Sequence, residues 1–193
     1  MRRLIALLAL STLALAGCAP AAPAPPEDPA AVAVLDRLDA LDAAVADWAA
    51  APDTATAHAA AEEARNLVVG PDGPGYGDAD GDGVVRGEAD TGLLPDPAGG
   101  PGLASALDSP CVDADVLGGS WADPEARWAV WRTAVDEWTP TGNTFPGLPS
   151  HPQRVAGWAT LALADDDLET VHEYAGHAAL HVAVARTAVL SCG

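Results

Sequence analysis

Apolar side chains recur at steps of three and four residues over residues 30 to 50, which is the spacing of one face of an α-helix. This stripe comprises Ala31, Val34, Leu38, Leu41, Val45 and Trp48, while Asp36, Asp39 and Asp47 fall elsewhere on the helix. A second stripe, of mainly small residues, comprises Ala57, Ala60, Ala64 and Leu67. Asp53 or Thr54 is placed to cap this second helix, and Gly70-Pro71 is a stop signal. The pattern predicts two amphipathic helices.

Helical spacing returns in the second half of the chain. An apolar face of Trp128, Trp131, Val135 and Trp138 predicts a helix that begins at Ser120 or Asp123 and runs through Trp138. A Pro/Gly connection follows at residues 139 to 149. The longest stripe then comprises Leu161, Ala164, Leu168, Val171, Ala175, Ala178, Val182, Ala185, Val189 and Cys192. Three aspartates at residues 165 to 167 can cap a new helix, so the stripe is compatible with a kink or short break near residue 165.

No segment shows the alternating pattern of a strand, so the predicted fold class is all-α, a bundle of four or five helices. A short, weakly periodic helix is expected around residues 103 to 107. Between the second helix and this point, residues 70 to 102 form one long insertion rich in Gly, Pro and Asp. A loop of this length is abnormal in a small domain, so either it is disordered or something other than apolar packing orders it.

The charge of the chain excludes one large class of partners. Nine cations, all of them Arg, stand against 28 acidic residues, which gives a net charge of −19. A surface this acidic lacks the basic stripe that neutralises phosphates, so nucleic-acid binding is not expected. Calcium, other cations or basic proteins are the partners that this charge favours.

The first residues resemble the signal and lipobox of bacterial lipoproteins. Arg2 and Arg3 precede an apolar stretch that is too short to span a bilayer, and this stretch ends in Leu15-Ala16-Gly17-Cys18. The resemblance implies a signal peptide over residues 1 to 17 and acylation of Cys18, with Ala19 directing the protein to the outer membrane. A Pro/Ala-rich tether at residues 18 to 29 would join the membrane anchor to the helical domain at residues 30 to 193. The alternative is an ordinary secretory signal or an N-terminal helix.

Cys111 and Cys192 remain once Cys18 is assigned to the lipid. An even pair of cysteines in an oxidising compartment favours one disulfide between them. The alternative is two unpaired buried thiols, and no CxxC or zinc-type spacing accompanies either cysteine.

The sharpest motif lies at residues 78 to 90, Asp78-Ala-Asp80-Gly-Asp82-Gly83-Val84-Val85-Arg86-Gly87-Glu88-Ala-Asp90. It resembles the calcium loop of EF-hand and dockerin-type proteins, in which alternate carboxylates converge on one hard cation. The resemblance implies Asp78, Asp80 and Asp82 as side-chain ligands of Ca²⁺, Gly83 as the turn, Val84 as a carbonyl ligand and Val85 as the apolar anchor.

The second half of this motif departs from the EF-hand pattern. Ala89 stands where the bidentate acid belongs, so the site would be closed by Glu88 or by Asp90, and this choice is open. Arg86, a cation, occupies the position that usually ligates through water. The alternative interpretation is an acidic, flexible turn that binds no metal.

A second group of chemically capable side chains lies on the last predicted helix: Glu169, His172, Glu173, His177 and His181. Steps of four residues permit metal ligation by Glu173 with His177, or by His177 with His181. The zincin spacing is absent, and Glu173 with His177 is expected on the outer face. The simpler interpretation is that these histidines lie at the surface or at the edge of the core and bind no metal.

The tryptophan face of the helix predicted through Trp138 also has two interpretations. The simpler one is that these side chains fill the core. The alternative is that they line a pocket for a haem or an apolar ligand.

Two classes of function follow. The favoured one is a non-enzymatic, lipid-anchored protein of the cell envelope that carries a calcium loop and binds an envelope partner or serves a structural role. The other is a metal- or haem-binding bundle, or a metalloenzyme, that uses the His and Glu residues of the last helix.

Overall fold

The computed structural model describes residues 28–107, 115–118 and 121–192. Its elements are α1 (Pro29–Ala50), α2 (Thr54–Val69), a 3₁₀ turn (Leu103–Ala106), α3 (Pro124–Asp136), α4 (His151–Ala162) and α5 (Leu168–Cys192). These ranges contain no β-strand, so the predicted all-α fold class is confirmed. The expected signal peptide, the lipidation site Cys18, Ser120, Cys111 and the side chain of Cys192 all lie outside the described residues.

Acidic and hydroxyl side chains begin the helices. A carboxylate oxygen of Asp53 accepts a hydrogen bond from the amide of Thr56, which makes Asp53, not Thr54, the cap of α2. Asp123 caps α3 in the same way, directly before Pro124. Asp167 accepts from the amide of Thr170, so the aspartate run does separate two helices.

Four helices, α1, α2, α4 and α5, pack side by side, and α3 packs against α4. The predicted stripes of α1 and α2 are buried, as is the part of the last stripe that belongs to α5: Val171, Ala175, Ala178, Val182, Ala185 and Val189. Ala164 was expected in that stripe but is exposed, because it lies in the break between α4 and α5. The many alanines let the helices approach closely, and a few large side chains, Trp48, Trp128 and Trp158 among them, fill the remaining volume.

Five of the six tryptophans lie in two clusters around α3 and α4. Trp128 and Trp131 are buried, and their indole N–H groups donate to the carbonyls of Pro95 and Gln153. Trp158 lies in a second cluster, in contact with Trp138, Phe145, Tyr174 and the ring of His177. Aromatic packing therefore joins α3, α4 and α5 at one side of the bundle.

Within the described ranges, every helix is too short or too polar to cross a lipid bilayer.

Candidate metal centre

The insertion is attached to the last turn of α2 by backbone hydrogen bonds. The amides of Leu93 and Leu94 donate to the carbonyls of Leu67 and Val68, which are among the carbonyls that a helix end leaves without partners. One guanidinium nitrogen of Arg37, on α1, donates both to the carbonyl of Leu67 at 2.9 Å and to that of Thr91 at 2.8 Å. The C-terminal half of the insertion is thereby held against the bundle.

Asn66 holds the loop from inside α2. Its side chain is fully buried, and its amide nitrogen donates to the carbonyl of Gly77 at 3.1 Å and to that of Arg86 at 2.7 Å. Its amide oxygen accepts from the backbone N–H of Gly77 at 3.2 Å. Because Gly77 precedes the three aspartates and Arg86 follows them, one side chain holds both ends of the loop that carries Asp78, Asp80 and Asp82.

Glu62 lies one helical turn before Asn66 and faces the same loop. Its carboxylate is fully buried and accepts three backbone hydrogen bonds, from Ala79 and Asp80 through Oε2 and from Arg86 through Oε1. A buried carboxylate is tolerated when several donors satisfy it, and these three amides meet that requirement. The sequence carries little sign of Glu62, because Glu62 and Asn66 lie opposite the predicted apolar stripe of α2, on the face that a sequence pattern assigns to solvent.

The aspartate motif itself forms a series of tight turns. Asp78 accepts from the amides of Gly81 at 2.8 Å and Gly83 at 2.9 Å, one with each carboxylate oxygen. Asp80 accepts from the amide of Asp82, and Asp82 from that of Val84. Gly83 has φ +87°, a left-handed conformation that suits the turn predicted at this position.

Three carboxylates converge in this loop. One oxygen each from Glu62, Asp78 and Asp80 lies within 4.8 Å of the other two. In the part of the chain that the structure describes, this is the one group of three or more His, Cys, Asp or Glu side chains that could ligate a metal ion. Two of its members were predicted from the motif, and the third comes from α2.

Asp82, the third predicted side-chain ligand, pairs with an internal cation. Arg86 Nη2 lies 2.7 Å from Asp82 Oδ2, and Arg86 Nη1 lies 3.5 Å from Asp80 Oδ2. The hydrogen bond from Arg86 lowers the pKa of Asp82 and raises the pKa of Arg86, whereas burial is the main cause that raises the pKa of Asp80. Arg86 therefore neutralises part of the negative charge that the three aspartates bring together.

The remaining predicted ligands lie outside this cluster. Val84 is 51% exposed, and Glu88 and Asp90 are also exposed. Within the described ranges, the side chains of Glu88 and Asp90 take part in no hydrogen bond or ion pair. Val85, the expected anchor, is half-buried.

The His and Glu residues of α5 take separate partners. His172 Nε2 lies 3.0 Å from the carbonyl of Ala51, and Glu173 Oε1 accepts from the side-chain Nδ2 of Asn143 at 2.9 Å. Glu173 and His177 were both predicted on the outer face, and Glu173 is indeed exposed. His177 is half-buried instead, because its ring stacks on Trp158 with 4.4 Å between the ring centroids. His177 Nε2 is 3.7 Å from Glu173 Oε1.

A groove of about 580 Å³ lies beside α3, lined by Val130, Ala134, Trp138 and Phe145 among others. Of the predicted tryptophan face, Trp138 lines this groove, whereas Trp128 and Trp131 are buried in the core. Its described lining includes no His, Cys or Met to ligate a haem iron.

Comparison of the chain with models of protein families, with curated proteins and with solved structures gave no match.

Proposed function

We propose that this chain is a lipid-anchored protein of the cell envelope whose helical bundle carries a calcium-binding loop, with a non-enzymatic binding or structural role. The observation that supports it most is the convergence of Glu62, Asp78 and Asp80 within 4.8 Å. The lipobox-like sequence before Cys18 supports the anchor, and Ala19 after it favours the outer membrane.

The donor set fits a hard cation better than a transition metal. Calcium takes six to eight oxygen ligands in flexible geometry, from carboxylates, backbone carbonyls and water. Glu62, Asp78 and Asp80 would hold it, with Asp82, the Val84 carbonyl and Glu88 or Asp90 as further donors. When bound, the ion supplies positive charge to an acidic loop. The chain's own contribution is to hold the loop on α2 through Glu62 and Asn66, so that a partner meets a fixed surface.

Thermal unfolding in chelator and in millimolar calcium tests the ion. An ion that binds only the folded state raises the free energy of unfolding by about 1.4 kcal/mol at ten times Kd. Extracellular calcium modules often have a Kd of roughly 10⁻⁴ to 10⁻³ M, and the incomplete second half of the motif favours this weak range. We expect millimolar calcium to raise Tm by several degrees, and magnesium to raise it less.

A matched pair of variants makes this test specific. Asp78→Asn retains an acceptor for its turn but loses charge in the cluster, so it should abolish the calcium effect. Asp96→Asn is the control, because Asp96 accepts from the amides of Ala98 and Gly100 in a similar turn of the same insertion but is not part of the cluster. Equal melting curves of the unmutated protein with and without calcium would refute the calcium proposal.

The anchor has its own test. Cys18→Ser should remove acylation and release the protein from the membrane fraction, because acyl transfer needs the sulfur. Metabolic labelling with a fatty acid measures this, with Cys111→Ser as the control that keeps its label. Label retained by the Cys18 variant would exclude the lipoprotein interpretation.

A further inference from the structure

Two histidines from different helices share a hydrogen bond. His151 is the first residue of α4, and His181 lies in the middle of α5. Their Nδ1 atoms are 2.9 Å apart, and the ring planes meet at 64°. At this distance one hydrogen lies between the two nitrogens, so one ring donates it and the other accepts through its lone pair. The bond therefore requires that at least one of the two rings is neutral.

The two protons that the pair can gain in acid have different effects on this bond. The first can enter at Nε2 of the ring that donates, and the hydrogen bond survives with a charged donor. The second must take the lone pair of the accepting Nδ1, after which both Nδ1 atoms carry a hydrogen and neither can accept. Two positive rings then face each other and repel. The hydrogen bond is thus stable only above the pH at which the second ring gains its proton.

The groups around the pair oppose this second proton. Burial is the main cause that lowers the pKa of His181 to about 4, and the groups that act on it are His151 and Arg154 of α4 and His177 of α5. Burial and then Arg154 lower the pKa of His151, which also stands at the positive end of the α4 dipole. The helices α1, α2 and α3 also pack against α4 or α5, but in the described ranges no charged group of theirs contributes to either lowered pKa.

The first turn of α4 also holds neighbouring segments. The indole N–H of Trp131, on α3, donates to the carbonyl of Gln153 at 2.9 Å, and a guanidinium nitrogen of Arg127 donates to the side-chain oxygen of Gln153 at 3.2 Å. The backbone amide of His151 donates to the carbonyl of Val116 at 3.0 Å. A movement of this turn away from α5 would therefore carry α3 with it.

We propose that the hydrogen bond between His151 and His181 is an acid-sensitive latch between α4 and α5. At neutral pH one shared hydrogen holds the first turn of α4 on α5. In acid the second proton replaces this bond by repulsion between two imidazolium rings, and the first turn of α4 separates from α5 together with α3.

The direction of the pH dependence follows from the lowered pKa values. An unfolded histidine binds its proton near pH 6.5, whereas the folded pair resists protonation down to a lower pH. The unfolded chain therefore binds more protons than the folded one below about pH 6.5, and the free energy of unfolding decreases as the solution becomes more acidic. The contribution of the latch is complete above this pH and is lost as the pH falls through the lower pKa of the folded pair.

The dependence of Tm on pH, measured from about pH 7 to about pH 4 without added calcium, tests the latch. The double variant His151→Gln, His181→Gln should lose several degrees less in acid than the unmutated protein, because glutamine has hydrogen-bonding groups but gains no proton. His172→Gln is the matched control on α5, since His172 bonds the Ala51 carbonyl outside the pair, and it should lose as much as the unmutated protein. An equal loss in the double variant would overturn the proposal.

Two measurements on the unmutated protein make the test independent of how well the variants fold. In an NMR titration, the imidazole signals of His151 and His181 should change together, at a lower pH than an unfolded histidine. Hydrogen exchange at about pH 4, corrected for the intrinsic rate, should rise more in residues 145 to 155 and in α3 than in α1 and α2. The proposal is overturned if the two rings titrate independently near pH 6.5, or if exchange rises evenly over all helices. Asp78→Asn should keep the acid response, so failure of this proposal and failure of the calcium proposal are separable.

Discussion

The helical bundle and the acidic insertion are ordered in opposite ways. Around Trp158, the bundle is held by contacts between aromatic and aliphatic side chains that exclude water. Around Glu62 and Asn66, the insertion is held by buried polar side chains that bond its backbone. A segment without an apolar stripe of its own can therefore be attached to a domain, provided that its backbone amides and carbonyls find partners there.

Both arrangements meet on α2. Its small side chains, such as Ala57 and Ala64, face the other helices, whereas Glu62 and Asn66 face the insertion. As a result, most of the second half of this helix is buried. Loss of an apolar contact should weaken the whole bundle, and loss of a polar contact should first free the insertion. The following predictions test this difference, from the largest expected effect to the smallest.

Trp158→Ala should destabilise the whole protein by about 3–5 kcal/mol, because it leaves a cavity among Trp138, Phe145 and Tyr174. Chemical denaturation followed by circular dichroism measures the loss, which should be equal in calcium and in chelator. A loss that calcium restores would contradict the assignment of Trp158 to the bundle alone.

Asn66→Ala should cost about 2–3 kcal/mol, because it leaves the carbonyls of Gly77 and Arg86 and the amide of Gly77 without their partner. Hydrogen exchange should show faster exchange within residues 70 to 102 while the helices stay protected. If exchange instead rises evenly over all helices, the insertion and the bundle unfold as one unit and the comparison fails.

Glu62→Gln should cost about 1–2 kcal/mol in chelator, since one oxygen acceptor replaces two and an amide nitrogen then faces backbone donors. The same variant should lose the calcium-induced rise in Tm, because a carboxylate leaves the cluster. The adjacent Glu63→Gln is the control, and it should keep both stability and calcium response. A calcium response that survives in Glu62→Gln would remove Glu62 from the ligand set.

Arg186→Gln should change the free energy of unfolding by less than about 1 kcal/mol. Arg186 pairs with Asp39 between α5 and α1, and solvent reaches both side chains, so screening weakens the pair. Thermal unfolding at low and high salt measures it, and the small difference should vanish in high salt. A loss as large as that of Asn66→Ala would show that this surface pair has a structural role.

The helices were predictable because their signals are local. The stripes of α1 and α2, the caps Asp53 and Asp123 and the aspartate at 167 each act within one or two turns, and the structure confirms them. The helix predicted to run through Trp138 ends earlier, at Asp136. The prediction that Ala164 is buried was wrong. Ala164 keeps the three- and four-residue spacing of the stripe, but it lies between α4 and α5, where the backbone is not helical and spacing no longer determines which way a side chain faces. The disulfide between Cys111 and Cys192 stays a prediction, to be tested by peptide mapping without reductant.

The candidate site was predictable in part for the same reason. Asp78, Asp80 and Gly83 are neighbours in sequence, so the motif predicts both the tight turns at these residues and the proximity of the two carboxylates. Their spacing does not reveal that Asp82 pairs with Arg86, because side-chain rotamers depend on the surrounding charge and burial. Neither does it show that Glu88 and Asp90 lie apart from the cluster.

The sequence by itself determined the caps of α2, α3 and α5, the buried faces of α1 and α2 and the position of the acidic turns, because these depend on residues within a few positions of one another. It did not show that a separate helix, α4, begins at His151. Tertiary structure alone decided that Glu62 enters the acidic cluster, that Asn66 holds both ends of its loop and that His151 meets His181. Each of these contacts joins residues separated by 11 to 30 positions. Their formation depends on how whole helices and the insertion pack, a cooperative result that no local pattern encodes.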